Sequence, residues 1–343
     1  MKLVTYKRNN SLRAGLYHDG RVVDLEQAAE KLNMALPHEM LALLQAGEKG
    51  MDTARAVNEA FVAGRLEGLE TFDESSLVAP VPNPTSCRDG YAFRQHVATA
   101  RRNRGVPMIE EFDQYPVFYF TNHNSIIGPG ELVVMEDHLQ RLDFELEAAI
   151  VIGKGGRNIR AEQADEYIAG YTIMNDFSAR TLQMEEMKLN LGPAKGKDFA
   201  TSIGPWLVTP DELKDKHSRT PEGDQHDLRM TAFHNGEQIS DGNMNQMNWT
   251  FAEIIERASY GVDLYPGDVI GSGTVGTGCY LELNGTRTLE AKEKGGSYTP
   301  VWLQDGDTIE LKIEQLGSLK HKIVKQNDDY SILARKKSVP ATA

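Results

Sequence analysis

The stretch Leu142-Asp143-Phe144-Glu145-Leu146-Glu147-Ala148-Ala149-Ile150-Val151-Ile152-Gly153 constrains this chain more than any other. Polar and apolar residues alternate and then give way to an unbroken apolar run, the pattern of a β-strand entering a core. Period-two geometry puts Asp143, Glu145 and Glu147 on one face, and Phe144, Leu146 and Ala148 on the other. Like charges this close repel by roughly 1 kcal/mol per pair at ~4 Å in water, and by about 4 where the effective dielectric is near 20. Such a face persists if it is solvated or if a cation neutralises it. Carboxylate oxygens without soft ligands suit Mg²⁺, Ca²⁺ or Mn²⁺. The run by itself leaves both readings open.

A net charge of −13 works against partners such as nucleic acid and anionic membranes. Arg101-Arg102-Asn103-Arg104 is the local exception, and it reads as a solvated helix end rather than a phosphate site. Cys87 and Cys279 make no disulfide framework. The start has no signal-peptide core and no stretch approaches membrane-span length, so the expected compartment is the cytoplasm. Residues 336–343 look like a frayed tail.

Residues 1–77 read as a small α+β domain, with strands at 3–6, 14–17 and 22–25 and helices at 26–32, 39–45 and 52–64. The proline-rich segment Ala79-Pro80-Val81-Pro82-Asn83-Pro84 marks the boundary. A β-rich α+β domain occupies 78–335, with helices expected at 91–102, 179–187 and 251–258. Extended segments are expected at 117–121, 132–135, 143–152, 167–174, 206–209, 230–234, 268–272, 279–283, 308–314 and 321–325, and a polar loop at 214–227. Gly271-Ser272-Gly273-Thr274-Val275-Gly276 spells a dinucleotide fingerprint, but residues 277–283 read as a turn and another strand, where a nucleotide site needs a helix. The glycines are better explained by a tight turn that approaches a ligand. The segment 192–198 lacks the spacing of a P-loop, and no Cys/His spacing fits zinc.

Two segments gather chemistry. In Cys87-Arg88-Asp89-Gly90-Tyr91-Ala92-Phe93-Arg94-Gln95-His96, Asp89 reads as the N-cap of a helix, which would place His96 on the same face about 10 Å along the axis. In Met174-Asn175-Asp176-Phe177-Ser178-Ala179-Arg180-Thr181-Leu182-Gln183, an apolar strand ends at Asp176 and a helix begins just after it. Asp176 suits either a cap or a metal ligand. Arg180 and Gln183, neighbours three apart, suit either solvent or an oxyanion.

Together these segments resemble the fumarylacetoacetate hydrolase superfamily, metal-dependent enzymes that cleave β-diketones or decarboxylate β-keto acids. The resemblance spans roughly residues 78 to 330 and rests on five motifs in order: Arg-Asp-x-Tyr-x-x-x-Gln-His at 88–96, Asp-Phe-Glu-Leu-Glu at 143–147, Met-Asn-Asp-Phe-Ser-Ala-Arg at 174–180, Gly-Lys-x-Phe-x-Thr-Ser-x-Gly-Pro-Trp at 196–206 and Gly-Asp-x-Ile-x-x-Gly-Thr at 267–274. It implies a mixed β-sandwich or β-roll catalytic domain behind the small N-terminal domain, and a homodimer. It places metal ligands on Asp89, Glu145, Glu147 and Asp176, with Asp143 as a bystander, and Mg²⁺, Ca²⁺ or Mn²⁺ as cofactor. His96 matches a water-activating base paired with Glu282, expected on the strand after the glycine turn. Arg180, Gln183 and Lys197 match groups that handle developing charge, while Tyr91, Tyr119 and Thr274 match substrate contacts.

The implied reaction is C–C bond hydrolysis in a fumarylacetoacetate- or acylpyruvate-like 3,5-diketo acid, of the kind used in aromatic amino acid catabolism. The alternative is decarboxylation or isomerisation of an oxaloacetate-like β-keto acid. Small decarboxylating relatives tend to carry a glutamate three residues after the histidine. Thr99 stands there in this chain, which favours the hydrolase reading. A third class, a silent calcium-binding protein on the same fold, has no need for His96, Arg180 and Lys197 together. Residues 101–116 resemble a mobile lid, and Met244-Asn245-Gln246-Met247-Asn248-Trp249 suits an interface or a core.

Overall fold

The apolar run of the opening motif forms the strand Leu146–Ile152, in which every residue is buried. Ala148, Ile150 and Ile152 enter one hydrophobic core, whereas Ala149 and Val151 enter another. A strand with a core on both faces has no reason to alternate, which explains the unbroken run. The computed structural model describes residues 1–337, and the part of the expected tail at 338–343 lies outside the described residues.

Leu146–Ile152 sits in an eleven-stranded sheet. From one edge the order is Thr71–Phe72, Arg21–Asp24, Ser11–His18, Lys2–Arg8, Thr201–Val208, Ile168–Asp176, Leu146–Ile152, Val269–Gly271, Cys87–Gly90 and Phe118–Phe120, while Ile126–Ile127 pairs alongside Thr201–Val208. The N-terminal strands join this sheet directly, with Lys2 opposite Val208 and Leu3 opposite Leu207. Helices Leu25–Lys31, Met40–Gln45 and Gly47–Val62 supply the core on one face. A five-stranded sheet, ordered Glu237–Asn243, Arg229–His234, Thr308–Ile313, Gly317–Lys325 and Gly130–Val134, and helix Phe251–Ser259 supply the core on the other. Among the described residues neither sheet closes into a barrel, and no helix is long and apolar enough to cross a membrane. The fold is the strand-rich α+β arrangement expected.

The structure corrects several local expectations. Asp89 does not cap a helix. It belongs to the strand Cys87–Gly90, held by a parallel ladder to Val269–Gly271 and an antiparallel one to Phe118–Phe120, and the helix begins only at Arg94. Residues 279–283 are not extended, because Tyr280 opens the helix Tyr280–Glu293. The expected polar loop at 214–227 contains a hairpin of His217–Thr220 and Gly223–His226. Met244 and Met247 are buried in the core, and Trp249 Nε1 donates to the Phe112 carbonyl at 2.9 Å.

Candidate active site

Three ladders bring distant acids to one end of the large sheet. Asp89 pairs with Gly271. Glu147 pairs with Met174, and Asp176 with Thr201. Glu145 lies where the ladder is interrupted, between Leu142–Asp143 and Leu146–Ile152. Its backbone N–H donates instead to Asn175 Oδ1 at 3.0 Å. Asp89, Glu145 and Glu147 each present an oxygen, all three within 4.8 Å of one another. Asp176 stands beside them, with Oδ2 accepting from Lys197 Nζ and from the Tyr119 hydroxyl.

Among the described residues, backbone N–H reaches these carboxylates through a glycine. The Gly273 N–H donates to Asp89 Oδ1 and to Glu147 Oε2, each at 3.1 Å. Its φ is +80°, and a Cβ there would lie 2.7 Å from the Gly90 carbonyl oxygen. A Cβ on Gly271 would meet Asp89 Oδ1 at 2.6 Å and Glu147 Oε2 at 3.0 Å. The fingerprint-like glycines therefore serve the carboxylates. A helix does come after them, contrary to expectation, but it starts four residues beyond Gly276 with its first N–H groups donating to Asp143.

The charges are unevenly balanced. Burial, reinforced by Asp176, pushes Asp89 up to about 7. Burial and Asp89 hold Glu147 well above the ordinary carboxylate range. Burial also raises Asp176, against the pull of Lys197. Glu145 is the exception. Burial would raise it, but Lys197 at 2.5 Å and Arg180 at 2.7 Å prevail and bring it to about 2. Lys197 loses solvation but is held charged by Asp176 and Glu145. Asp176 Oδ1 is buried without a hydrogen-bond partner among the described residues. Hard oxygen donors, excess negative charge and an unpartnered carboxylate oxygen fit a divalent cation.

Beside the acids, His96 Nδ1 lies 2.6 Å from Glu282 Oε2, both side chains buried. A carboxylate only accepts, so Nδ1 carries the proton and Nε2 is the free ring nitrogen. Glu282 Oε1 accepts from the Thr277 N–H at 3.0 Å, and Asn103 Nδ2 donates to the Glu282 carbonyl at 2.9 Å, tying the two helices together. Glu282 thus keeps its expected partner although it stands in the first turn of a helix instead of on a strand.

A cavity of about 660 Å³ opens over this constellation. His96, Tyr91, Tyr119, Thr274, Asp89, Glu145, Arg180, Gln183 and Lys197 line it, and Phe118, Met184, Met187 and Trp302 form its apolar walls. Glu147, Asp176 and Glu282 lie just behind, each bonded to a lining residue. Every residue singled out from the sequence is therefore in or directly behind one cavity. Sequence reasoning missed Asn175 and the apolar wall. Asp143, expected as a bystander to the metal ligands, stands outside the cluster, fully buried, and accepts from Arg180 Nε at 2.8 Å. For Asn175 a signal existed, since an amide next to Asp176 in an otherwise apolar strand needs a buried partner.

Residues 85–324 match the family described as fumarylacetoacetate (FAA) hydrolase, C-terminal. The chain belongs to the fumarylacetoacetate hydrolase family of enzymes. It is 32% identical over 310 residues to the mitochondrial oxaloacetate tautomerase Fahd2a of Rattus norvegicus, spanning 89% of this chain and 84% of that protein. It is 29% identical over 335 residues to the oxaloacetate tautomerase YisK of Bacillus subtilis (strain 168), spanning 94% and 100% respectively. A solved fumarylacetoacetate hydrolase from psychrophilic Exiguobacterium antarcticum shares the fold with a TM-score of 0.66 at 26% identity, over 95% of this chain and 100% of that one.

Proposed function

We propose that this chain is a divalent-metal-dependent tautomerase of an oxaloacetate-like 2-oxo acid. The observation that carries the reading is the buried His96–Glu282 pair, 2.6 Å apart, opening on the same cavity as the carboxylate cluster. Relatives named oxaloacetate tautomerases support placing isomerisation ahead of hydrolysis.

Asp89, Glu145, Glu147 and Asp176 would hold Mg²⁺ or Mn²⁺. Bound there, the cation supplies Lewis-acid polarisation of the substrate oxygens. His96 Nε2 moves the proton between the enol oxygen and the adjacent carbon. Glu282 fixes the imidazole tautomer and stabilises the imidazolium while the proton is in transit. Arg180, Gln183 and Lys197 provide donors preorganised for the developing enolate and the substrate carboxylate. Tyr91, Tyr119 and Thr274 border the space the substrate occupies.

One observation favours a second reading. The cavity is far larger than a four-carbon acid fills, and its far wall is apolar, which suits a bulkier acyl group. On that reading His96 deprotonates water, and the hydroxide attacks the acyl carbonyl of a diketo acid such as an acylpyruvate. The bond from that carbon to the central CH₂ breaks, releasing a carboxylic acid and an enolate that takes up a proton. The deciding experiment identifies products from oxaloacetate and from a short acylpyruvate, with Mg²⁺ and with chelator. Faster enol–keto exchange of oxaloacetate, lost on chelation, supports the tautomerase. Two acid fragments from the acylpyruvate, with oxaloacetate exchange unaccelerated, would replace it with the hydrolase, and CO₂ release from oxaloacetate with a decarboxylase.

A further inference from the structure

Helix Tyr280–Glu293 carries Glu282 in its first turn but begins without a cap of its own. Its N-cap residue is Cys279, whose side chain makes no cap hydrogen bond. The opening turn is buried, and its N–H groups need acceptors. Asp143 supplies them from far away in the sequence. Its Oδ1 accepts from the Tyr280 N–H at 2.7 Å and from the Phe144 N–H at 2.9 Å. Its Oδ2 accepts from the Leu281 N–H at 2.9 Å and from Arg180 Nε at 2.8 Å. Four donors fill the acceptor capacity of one carboxylate. The same Arg180 extends Nη2 to Glu145 Oε1 at 2.7 Å. One carboxylate thus joins the helix that presents Glu282 to the guanidinium that holds Glu145.

We propose that Asp143 is a positioning residue that registers the His96–Glu282 pair on the metal-binding carboxylates. It acts through the helix start on one side and through Arg180 on the other, and touches no substrate. The inference rests on the reading of His96 and Glu282 as the reacting pair. A purely structural buried ion pair would stabilise the fold without setting that geometry, so the test separates the two.

The test compares Asp143→Asn with wild type in the Mg²⁺-loaded protein. The kcat for oxaloacetate exchange is expected to fall ~10- to 100-fold, the range typical of residues that orient ligating or reacting groups, with KM little changed. The downfield NMR resonance of the proton that His96 Nδ1 shares with Glu282 is expected to shift or broaden. In a Glu282→Gln background D143N should cost little further rate, since both changes disable one unit. Should D143N not fold, Asp143→Glu carries the same readouts. It keeps the charge but displaces the carboxylate by one methylene. A resonance unchanged from wild type in the folded variant, or losses that add fully to those of Glu282→Gln, would overturn the proposal. Failure of the wild type to act on oxaloacetate would count against the tautomerase reading alone, because the resonance still decides the role of Asp143.

Discussion

His96 touches Glu282 and the cavity, whereas the acids behind it answer to Lys197, Arg180 and Gly273. Proton transfer and cation binding should therefore separate under mutation. His96→Ala is expected to lower kcat by about 10²- to 10⁴-fold, the usual worth of a general base, while a Mn²⁺ titration stays at the wild-type affinity. Parallel loss of both would show that His96 belongs to the metal site. Gly271→Ala should do the reverse. Its Cβ would meet Asp89 Oδ1 at 2.6 Å and the Met174 sulfur at 2.7 Å, so the acids must move. Weaker Mn²⁺ binding is expected, together with a stability loss of about 1–3 kcal/mol from overpacking. Wild-type Mn²⁺ affinity in that variant would mean the cradle is not where the cation sits. Asp143, Glu145 and Glu147 were conspicuous in the sequence because like charges on one strand face repel, whereas Asp89 and Asp176 were linked to them only through the family resemblance. The glycine turn at 271–276 was legible as a close approach to a ligand, but the atoms Gly271 must avoid were not, because they come from Asp89, Met174 and Glu147, far off along the chain.

At the scale of elements, the misreadings share one cause. Cys279-Tyr280-Leu281-Glu282-Leu283 alternates like a strand and lacks a local cap, and its helix depends on Asp143 for its first N–H acceptors. Asp89 looked like a cap because Asp before Gly-Tyr suits one, yet two long-range ladders make it strand. Elements whose partners are adjacent, such as the capping-box helix Phe251–Ser259 with Thr250 and Glu253, could be read locally. The join between the two sheets also rests on a long-range pair, since His321 on Gly317–Lys325 lies 2.7 Å from the Ser202 hydroxyl on Thr201–Val208. Burial holds the His321 imidazole down, at about 4 against an ordinary 6.5. The unfolded chain binds this proton below about pH 6.5 and the folded chain does not until about pH 4, so stability falls as pH is lowered through that window. The loss attributable to His321 approaches about 3 kcal/mol at the acid end. His226, also brought to about 4 chiefly by burial, adds to the same slope. Denaturant unfolding of His321→Gln between pH 7 and 4 should show a shallower decline than wild type. Identical slopes would mean that the ring is protonated in the folded protein or solvated on opening.

The whole molecule is arranged so that the acidic cluster exists only when the chain is folded. Asp89 arrives on a strand beside Val269–Gly271, Glu145 and Glu147 on the central strand region, and Asp176 on a third strand. Cores on both faces of the sheet hold that register. A cation that needs all of these segments binds the folded chain and has little affinity for the unfolded one, so binding and folding are linked. At a free concentration 100 times Kd the linkage is worth about 2.7 kcal/mol. Burial raises Asp89 and Glu147, so the cation must displace protons from them, and its apparent affinity should rise with pH. Thermal unfolding should therefore show a Tm that climbs with Mg²⁺ or Mn²⁺ and drops on chelation. Glu145→Ala, which removes an acid from the cluster, should flatten that dependence even if its own Tm changes. A wild-type Tm indifferent to both cations and chelator would remove the cation from the site, and with it the Lewis-acid part of the proposed chemistry.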